Sequence, residues 1–151
     1  MPKTKLFIDI DGTILRAYRN WRPPRPLQLK QLAGPFLQWA VQRFDCYWLS
    51  DWTVNGQMDE VQAKLLPLLP SCASTIPGAV WKQSKTDALP SDGNFRWIEN
   101  RAVRGDRERL LKRGWEGLLF DVNPYERSIR PTWEWAAQQI GEHAPAGRAA
   151  R

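Results

Sequence analysis

The sequence predicts an α/β fold: a single-domain, three-layer sandwich around a central, mainly parallel five-stranded sheet. Three observations carry that prediction. Short β-rich apolar runs alternate with stretches of helical periodicity, which is the pattern of βαβ units. A length of 151 residues suits one hydrophobic core and not two. A composition of 42% hydrophobic and 25% charged residues belongs to a globular chain rather than a disordered one.

The first strand runs from Lys5 to Ile10 and closes on the turn pair Asp11-Gly12. Phe36, Leu37, Ala40, Val41 and Phe44 recur on one helix face, and Pro35 suits the first turn of that helix. Cys46 to Leu49 forms the second strand, which ends at Ser50. Met58, Val61 and Leu65 mark a second helix, halted near Pro67 or Pro70. Ala79 to Trp81 is a weak third strand, Phe95 to Ile98 the fourth and Leu118 to Val122 the fifth. Asp106 to Arg113 gives a helix between the last two. Thr132 caps a final helix that turns Trp133, Ala136, Ala137 and Ile140 inward. Residues 1–140 then form the core. Residues 141–151 form a loose tail that carries the lone histidine, His143.

Several classes fall away. No apolar run nears the roughly 20 residues that span a bilayer. Asp9 and Asp11 interrupt any signal-peptide pattern at the N-terminus. Cys46 and Cys72 make no C-x-x-C pair and no disulfide framework, so a soluble cytoplasmic protein with reduced thiols is expected. A cysteine-based phosphatase needs an arginine six residues beyond its cysteine. Trp52 and Gly78 stand at those places, so that chemistry is excluded.

In a parallel α/β fold the ligand site lies at the carboxyl ends of the strands. The first strand ends in Asp9-Ile10-Asp11-Gly12-Thr13. Residues two apart on a strand point to one side, so the two carboxylates share a site. Their repulsion calls for a cation, and Mg²⁺ prefers such oxygens. One carboxylate can attack phosphorus while its neighbour moves the leaving group's proton. Gly12 lets the chain turn with its amides toward an anion. An ordinary strand-to-turn signal explains Asp11-Gly12 but not Asp9 within an apolar run. A calcium loop starting at Asp9 would need Gly and Glu where Ile14 and Asn20 stand.

The run Leu6-Phe7-Ile8-Asp9-Ile10-Asp11-Gly12-Thr13 resembles the first motif of the haloacid dehalogenase superfamily of phosphotransferases. Three further motifs of that superfamily have counterparts in order. Cys46-Tyr47-Trp48-Leu49-Ser50 is similar to the second, a hydrophobic strand ending in a hydroxyl. Lys85 is the counterpart of the third-motif lysine, with Lys82 as the alternative. Phe95-Arg96-Trp97-Ile98-Glu99-Asn100 is similar in position to the fourth, although many relatives carry two acids where this chain has Glu99 and Asn100. Asp106 is the other acid within reach.

The resemblance spans residues 5–100. It implies a Rossmann-like core and hydrolysis of a phosphomonoester through an aspartyl-phosphate. Asp9 would be the nucleophile, and Asp11 the acid and then the base. Gly12, Thr13, Ser50 and Lys85 would surround the phosphoryl group. Mg²⁺ would be the cofactor, held by Asp9, Asp11 through its carbonyl, Glu99 and Asn100. Superfamily members select substrates through cap insertions, and the stretches after the first two motifs are too short for a cap domain. The implied site is open and suits a large or exposed phosphorylated substrate, whose class stays unspecified. The alternative implied by the missing acid is a weakly active or non-catalytic relative that binds nucleotide, nucleic acid or a protein.

The formal charge of +6 is consistent with an anionic partner, nucleic acid included. Part of it gathers in Arg16 to Arg25, where four arginines accompany Tyr18 and Trp21. Arg16, Arg19, Trp21 and Trp52 are the candidate substrate contacts, because guanidinium forks bind phosphate and indoles stack on rings. Trp39, Trp48, Trp97 and Trp133 lie in expected strands and helices and are assigned to packing.

Overall fold

The computed structural model describes residues 2–18 and 26–146. Its regular elements, in chain order, are β1 (Lys5–Ile8), α1 (Ala33–Arg43), β2 (Asp45–Trp48), β3 (Phe95–Glu99), α2 (Arg104–Lys112), β4 (Leu119–Asp121) and α3 (Arg130–Gln139). The strands pair in parallel in the order β2-β1-β3-β4, with Ile8 level with both Trp48 and Ile98.

The sheet has four strands where five were expected. Ala79 to Trp81 does not join as a strand. A single bridge links Trp48 to Gly78: the Trp48 N–H donates to Pro77 and the Ala79 N–H to the Trp48 carbonyl. Pro77 and Gly78 disfavour a longer ladder, Val80 points to solvent, and the chain then turns so that Trp81 faces the site described below.

Period-two alternation divides the apolar strand residues between two layers. Leu6, Ile8, Cys46, Trp48 and Ile98 face α1 and α3, where they meet Phe36, Leu37, Ala40, Trp133, Ala136 and Ala137. Phe7, Leu49, Phe95 and Trp97 face the other way and pack with Leu110 of α2. A sheet covered on both faces needs nearly continuous apolar strands, as these are. Each fully buried Leu, Ile or Phe contributes about 1.5–3 kcal/mol of burial. Trp39, Trp48, Trp97 and Trp133 are all buried, as their packing assignment requires.

Helix boundaries differ from the expected ones for local reasons. Helix α3 begins at Arg130, with Pro131 preset for its first turn; Thr132 is buried inside it and is not its cap. Helix α2 begins before Asp106, which sits in its first turn. The Met58–Leu65 region winds through a π-helical turn, Val61–Leu65, and a tighter turn, Leu66–Leu68, that contains Pro67. The described residues between β2 and β3 form only short helical turns and no second core. No helix among the described residues is long and apolar enough to cross a membrane. Within the expected tail, Glu142 pairs with Arg43 at 2.9 Å, and His143 is exposed.

From β1 the chain moves outward to β2, then returns across β1 to reach β3. The switch of direction opens a crevice at the carboxyl ends of β1 and β3, which is where such sheets hold ligands.

Candidate active site

Asp9 stands one residue beyond β1, and its N–H still donates to Ile98 of β3 at 3.0 Å. That bond places it in the crevice. The chain then turns sharply: the N–H groups of Thr13, Ile14 and Leu15 all donate to the Ile10 carbonyl. Gly12 occupies the left-handed region at φ 74°. A Cβ there would lie 2.2 Å from Asn100 Nδ2 and 2.9 Å from Pro124 Cβ, so no side chain fits. Thr13 is buried, and its hydroxyl donates to Asp9 Oδ2 at 3.1 Å. With its amide on Ile10 and its hydroxyl on Asp9, Thr13 positions the aspartate.

Lys85 arrives from a capped turn. Ser84 Oγ accepts the Thr86 N–H at 3.2 Å, and Asp87 accepts the Ser84 N–H at 3.4 Å. This reciprocal pattern is a capping box. It starts the short helix Lys85–Ala88 and aims Lys85 into the crevice. Lys85 Nζ donates to Glu99 Oε2 at 2.8 Å and to Asp9 Oδ1 at 3.4 Å, and it stands 4.0 Å from Asp51 Oδ1. Glu99 closes β3, is buried, and accepts the Arg101 N–H on its other oxygen. Lys82 is exposed, so of the two candidate lysines Lys85 is the one at the aspartate.

The electrostatics follow from one ammonium between two buried carboxylates. Burial pushes the Asp9 carboxyl well above its ordinary range; the Glu99 charge pushes it further, and Lys85 only partly opposes them. Burial pulls Lys85 down, but Asp9 and Glu99 more than offset it, and its net shift is upward. The shorter Lys85 contact goes to Glu99. Asp9 is therefore the carboxyl with the weaker share of the Lys85 charge.

Ser50 lies just past β2 and is buried. Its Oγ accepts the Trp52 N–H at 3.1 Å, and its own proton has no acceptor among the described residues. Asp11 is exposed, and its Oδ2 accepts the Trp52 indole N–H at 2.8 Å. The Trp81 indole donates to the Ser50 carbonyl at 3.0 Å, and its ring lies 5.8 Å from Lys85 Nζ. Asp106 is buried and accepts from Ser84 Oγ at 2.6 Å, with Arg109 at 3.5 Å. It steadies the turn that delivers Lys85.

These groups line a cavity of about 600 Å³, whose wall includes Asp9, Asp11, Gly12, Ser50, Lys85, Glu99 and Asn100. Asp51, Trp81, Ser84, Arg101 and Asp106 also line it. Another cavity, of about 500 Å³ and lined by Lys3, Lys5, Phe44 and Cys46, lies by the opposite ends of the strands. Among the described residues, no three His, Cys, Asp or Glu side chains converge to hold a metal. The oxygen donors on the cavity wall include the Asp9 and Glu99 carboxylates and the Asn100 amide.

Of the candidate substrate contacts, Arg16 stacks over Tyr18 at 5.3 Å, away from the cavity wall. Trp52 is engaged with Asp11, and Arg19 and Trp21 lie outside the described residues. Sequence reading passed over Asp51, Trp81 and the role of Asp106. Only the Ser84-x-x-Asp87 capping pattern hinted at the turn that gathers the last of these. Burial pushes the Cys46 thiol up to about 12, far from a thiolate nucleophile. Compared with protein-family models, with curated proteins and with solved structures, the chain matches none.

Proposed function

We propose that the chain is a Mg²⁺-dependent phosphomonoester hydrolase of the haloacid dehalogenase kind, acting through Asp9. One observation carries the reading: Asp9, Lys85, Glu99 and Ser50, drawn from distant parts of the chain, line one cavity at the switch point of a parallel sheet. In the reaction, Asp9 attacks phosphorus and the ester P–O bond breaks. The leaving oxygen takes a proton from Asp11. Asp11 then takes a proton from a water whose oxygen attacks the aspartyl-phosphate, and this releases phosphate and restores Asp9. Lys85 and the Ser50 hydroxyl hold the phosphoryl oxygens.

The donor set suits Mg²⁺ as an ion that keeps several of its waters. Two buried carboxylates share a single ammonium, and their mutual repulsion calls for more positive charge. Asp9, Glu99, Asn100 and the Asp11 carbonyl would hold the ion, which supplies charge to the phosphoryl oxygens when bound. The described residues place no separate domain over the cavity, in keeping with a large or exposed phosphorylated substrate. The free thiols Cys46 and Cys72 accord with a cytoplasmic setting.

The test is hydrolysis of p-nitrophenyl phosphate with Mg²⁺ by the wild type and by Asp9→Asn. Turnover by the wild type alone is expected, and equal turnover by both refutes the mechanism. A second reading, binding without turnover, is favoured by Asn100 where an acid would strengthen metal binding. It predicts salt-sensitive binding of an anionic partner by a chain that hydrolyses nothing.

A further inference from the structure

Asp11 is exposed, yet its side chain is held. The Trp52 indole N–H donates to its Oδ2 at 2.8 Å, across 41 positions of sequence. Trp52 is itself fixed from several sides. Its main-chain N–H donates to Ser50 Oγ at 3.1 Å. Thr53 Oγ1 accepts the Ser50 N–H at 3.2 Å and donates to the Ser50 carbonyl at 3.1 Å, which completes a capping box. The Trp52 ring packs against the main core. A rigid turn at the end of β2 thus reaches a carboxylate carried by the loop after β1.

We propose that Trp52 is a positioning residue that fixes which Asp11 oxygen handles the proton. The inference rests on the phosphatase reading above. An indole N–H donates and cannot accept, so the oxygen it touches must offer a lone pair. The carbonyl oxygen of a carboxyl is its better acceptor, so the bond to Oδ2 favours Oδ1 as the oxygen that carries the proton given to the leaving group. Without the bond, an exposed aspartate samples several rotamers and delivers its proton less often.

The experiment compares two substrates by kcat/KM, which reports the steps through phosphoryl transfer to Asp9. The leaving group of p-nitrophenyl phosphate is stable as an anion and needs little protonation. That of an alkyl phosphate needs the proton. Trp52→Phe keeps a ring but removes the donor. It is expected to lower kcat/KM for the alkyl phosphate about tenfold more than for p-nitrophenyl phosphate, the weight of roughly one hydrogen bond.

Asp11→Asn should show the same selective loss, and the double variant should lose little more than Asp11→Asn alone. Trp52→His is the second variant, because imidazole Nε2 occupies the ring position of indole Nε1. It should keep the wild-type ratio between the substrates. An equal loss on both substrates, additive losses in the double variant, or loss of the ratio in Trp52→His overturns the proposal. Wild-type turnover by Asp9→Asn overturns the phosphatase reading itself. An inactive Asp9→Asn with an unchanged ratio in Trp52→Phe removes only the role of Trp52.

Discussion

Asp9→Asn is expected to abolish turnover and, at neutral pH, to stabilise the fold. Asp9 is 3% exposed, and its favourable contacts are the Thr13 hydroxyl at 3.1 Å, the Ile10 main chain and a Lys85 ammonium committed more closely to Glu99. Burial and the Glu99 charge raise its carboxyl well above the usual range. The sign follows from proton counting. Above the ordinary carboxylate range the unfolded chain has released this proton while the folded chain retains it. Stability therefore falls as pH rises, until the folded group also ionises. Asparagine is neutral throughout, keeps an oxygen for Thr13, and removes the repulsion from Glu99.

Relief of one such strained buried group is worth on the order of 1–2 kcal/mol. For a domain of this size that is a rise in Tm of about 2–8 °C at pH 7.5. Below about pH 4 the wild-type carboxyl is protonated in both states, and the difference should vanish. Thermal melts of both proteins without divalent metal, from pH 4 to pH 8, read the effect. A variant less stable than wild type at pH 7.5, or a gain of equal size at pH 4, refutes the account of Asp9 as a strained buried carboxyl.

Three further outcomes are expected. Lys85→Met leaves Asp9 and Glu99 together without a cation and should cost about 3 kcal/mol or more in chemical denaturation. Lys82→Met, at an exposed position, should stay within about 0.5 kcal/mol of wild type and keep activity. Gly12→Ala must hold φ 74° and displace Asn100 and Pro124, so a loss of roughly 2–4 kcal/mol is expected from urea melts, with little or no turnover. Asn100→Asp adds a carboxylate beside the crevice and should lower the Mg²⁺ concentration for half-maximal turnover several-fold. The metal-free protein should lose about 1 kcal/mol at neutral pH, as melts with and without Mg²⁺ would show.

The sheet and the site were legible to different depths, for physical reasons. Leu6 to Ile8 and Trp97 to Ile98 must be apolar on both faces because helices cover both sides of the sheet, and that demand is written locally. Asp9, Ser50 and Glu99 could be read for the same reason: each closes or follows such a run. Ala79 to Trp81 has strand-like residues too, but the flanking Pro77 and Gly78, a breaker pair already present in the sequence, reduce its pairing to a single bridge. The choice between Lys82 and Lys85 was hidden. It depends on where the Ser84 cap starts a turn and on Asp106 of α2 holding Ser84 at 2.6 Å, which is a tertiary contact.

The tryptophans show most clearly what sequence alone misses. Composition points to packing, and the buried indoles of Trp39, Trp48, Trp97 and Trp133 agree. Trp52 and Trp81 are different, and both are tied to Ser50. The Trp52 N–H donates to the serine hydroxyl, and the Trp81 indole donates to the serine carbonyl. From that shared anchor one indole reaches Asp11 and the other stands 5.8 Å from the Lys85 ammonium. Ser50 is thus more than a hydroxyl at a strand end: it couples the end of β2 to the two side chains on which proton transfer and phosphoryl binding would depend. A small residue such as alanine at position 50 would lose the hydroxyl that caps the turn. It should therefore disturb Asp11 through Trp52 as well as phosphate binding. Ser50→Ala is then expected to shift the preference between alkyl and p-nitrophenyl phosphates in the same direction as Trp52→Phe, whereas a serine that only bound phosphate would weaken both substrates alike.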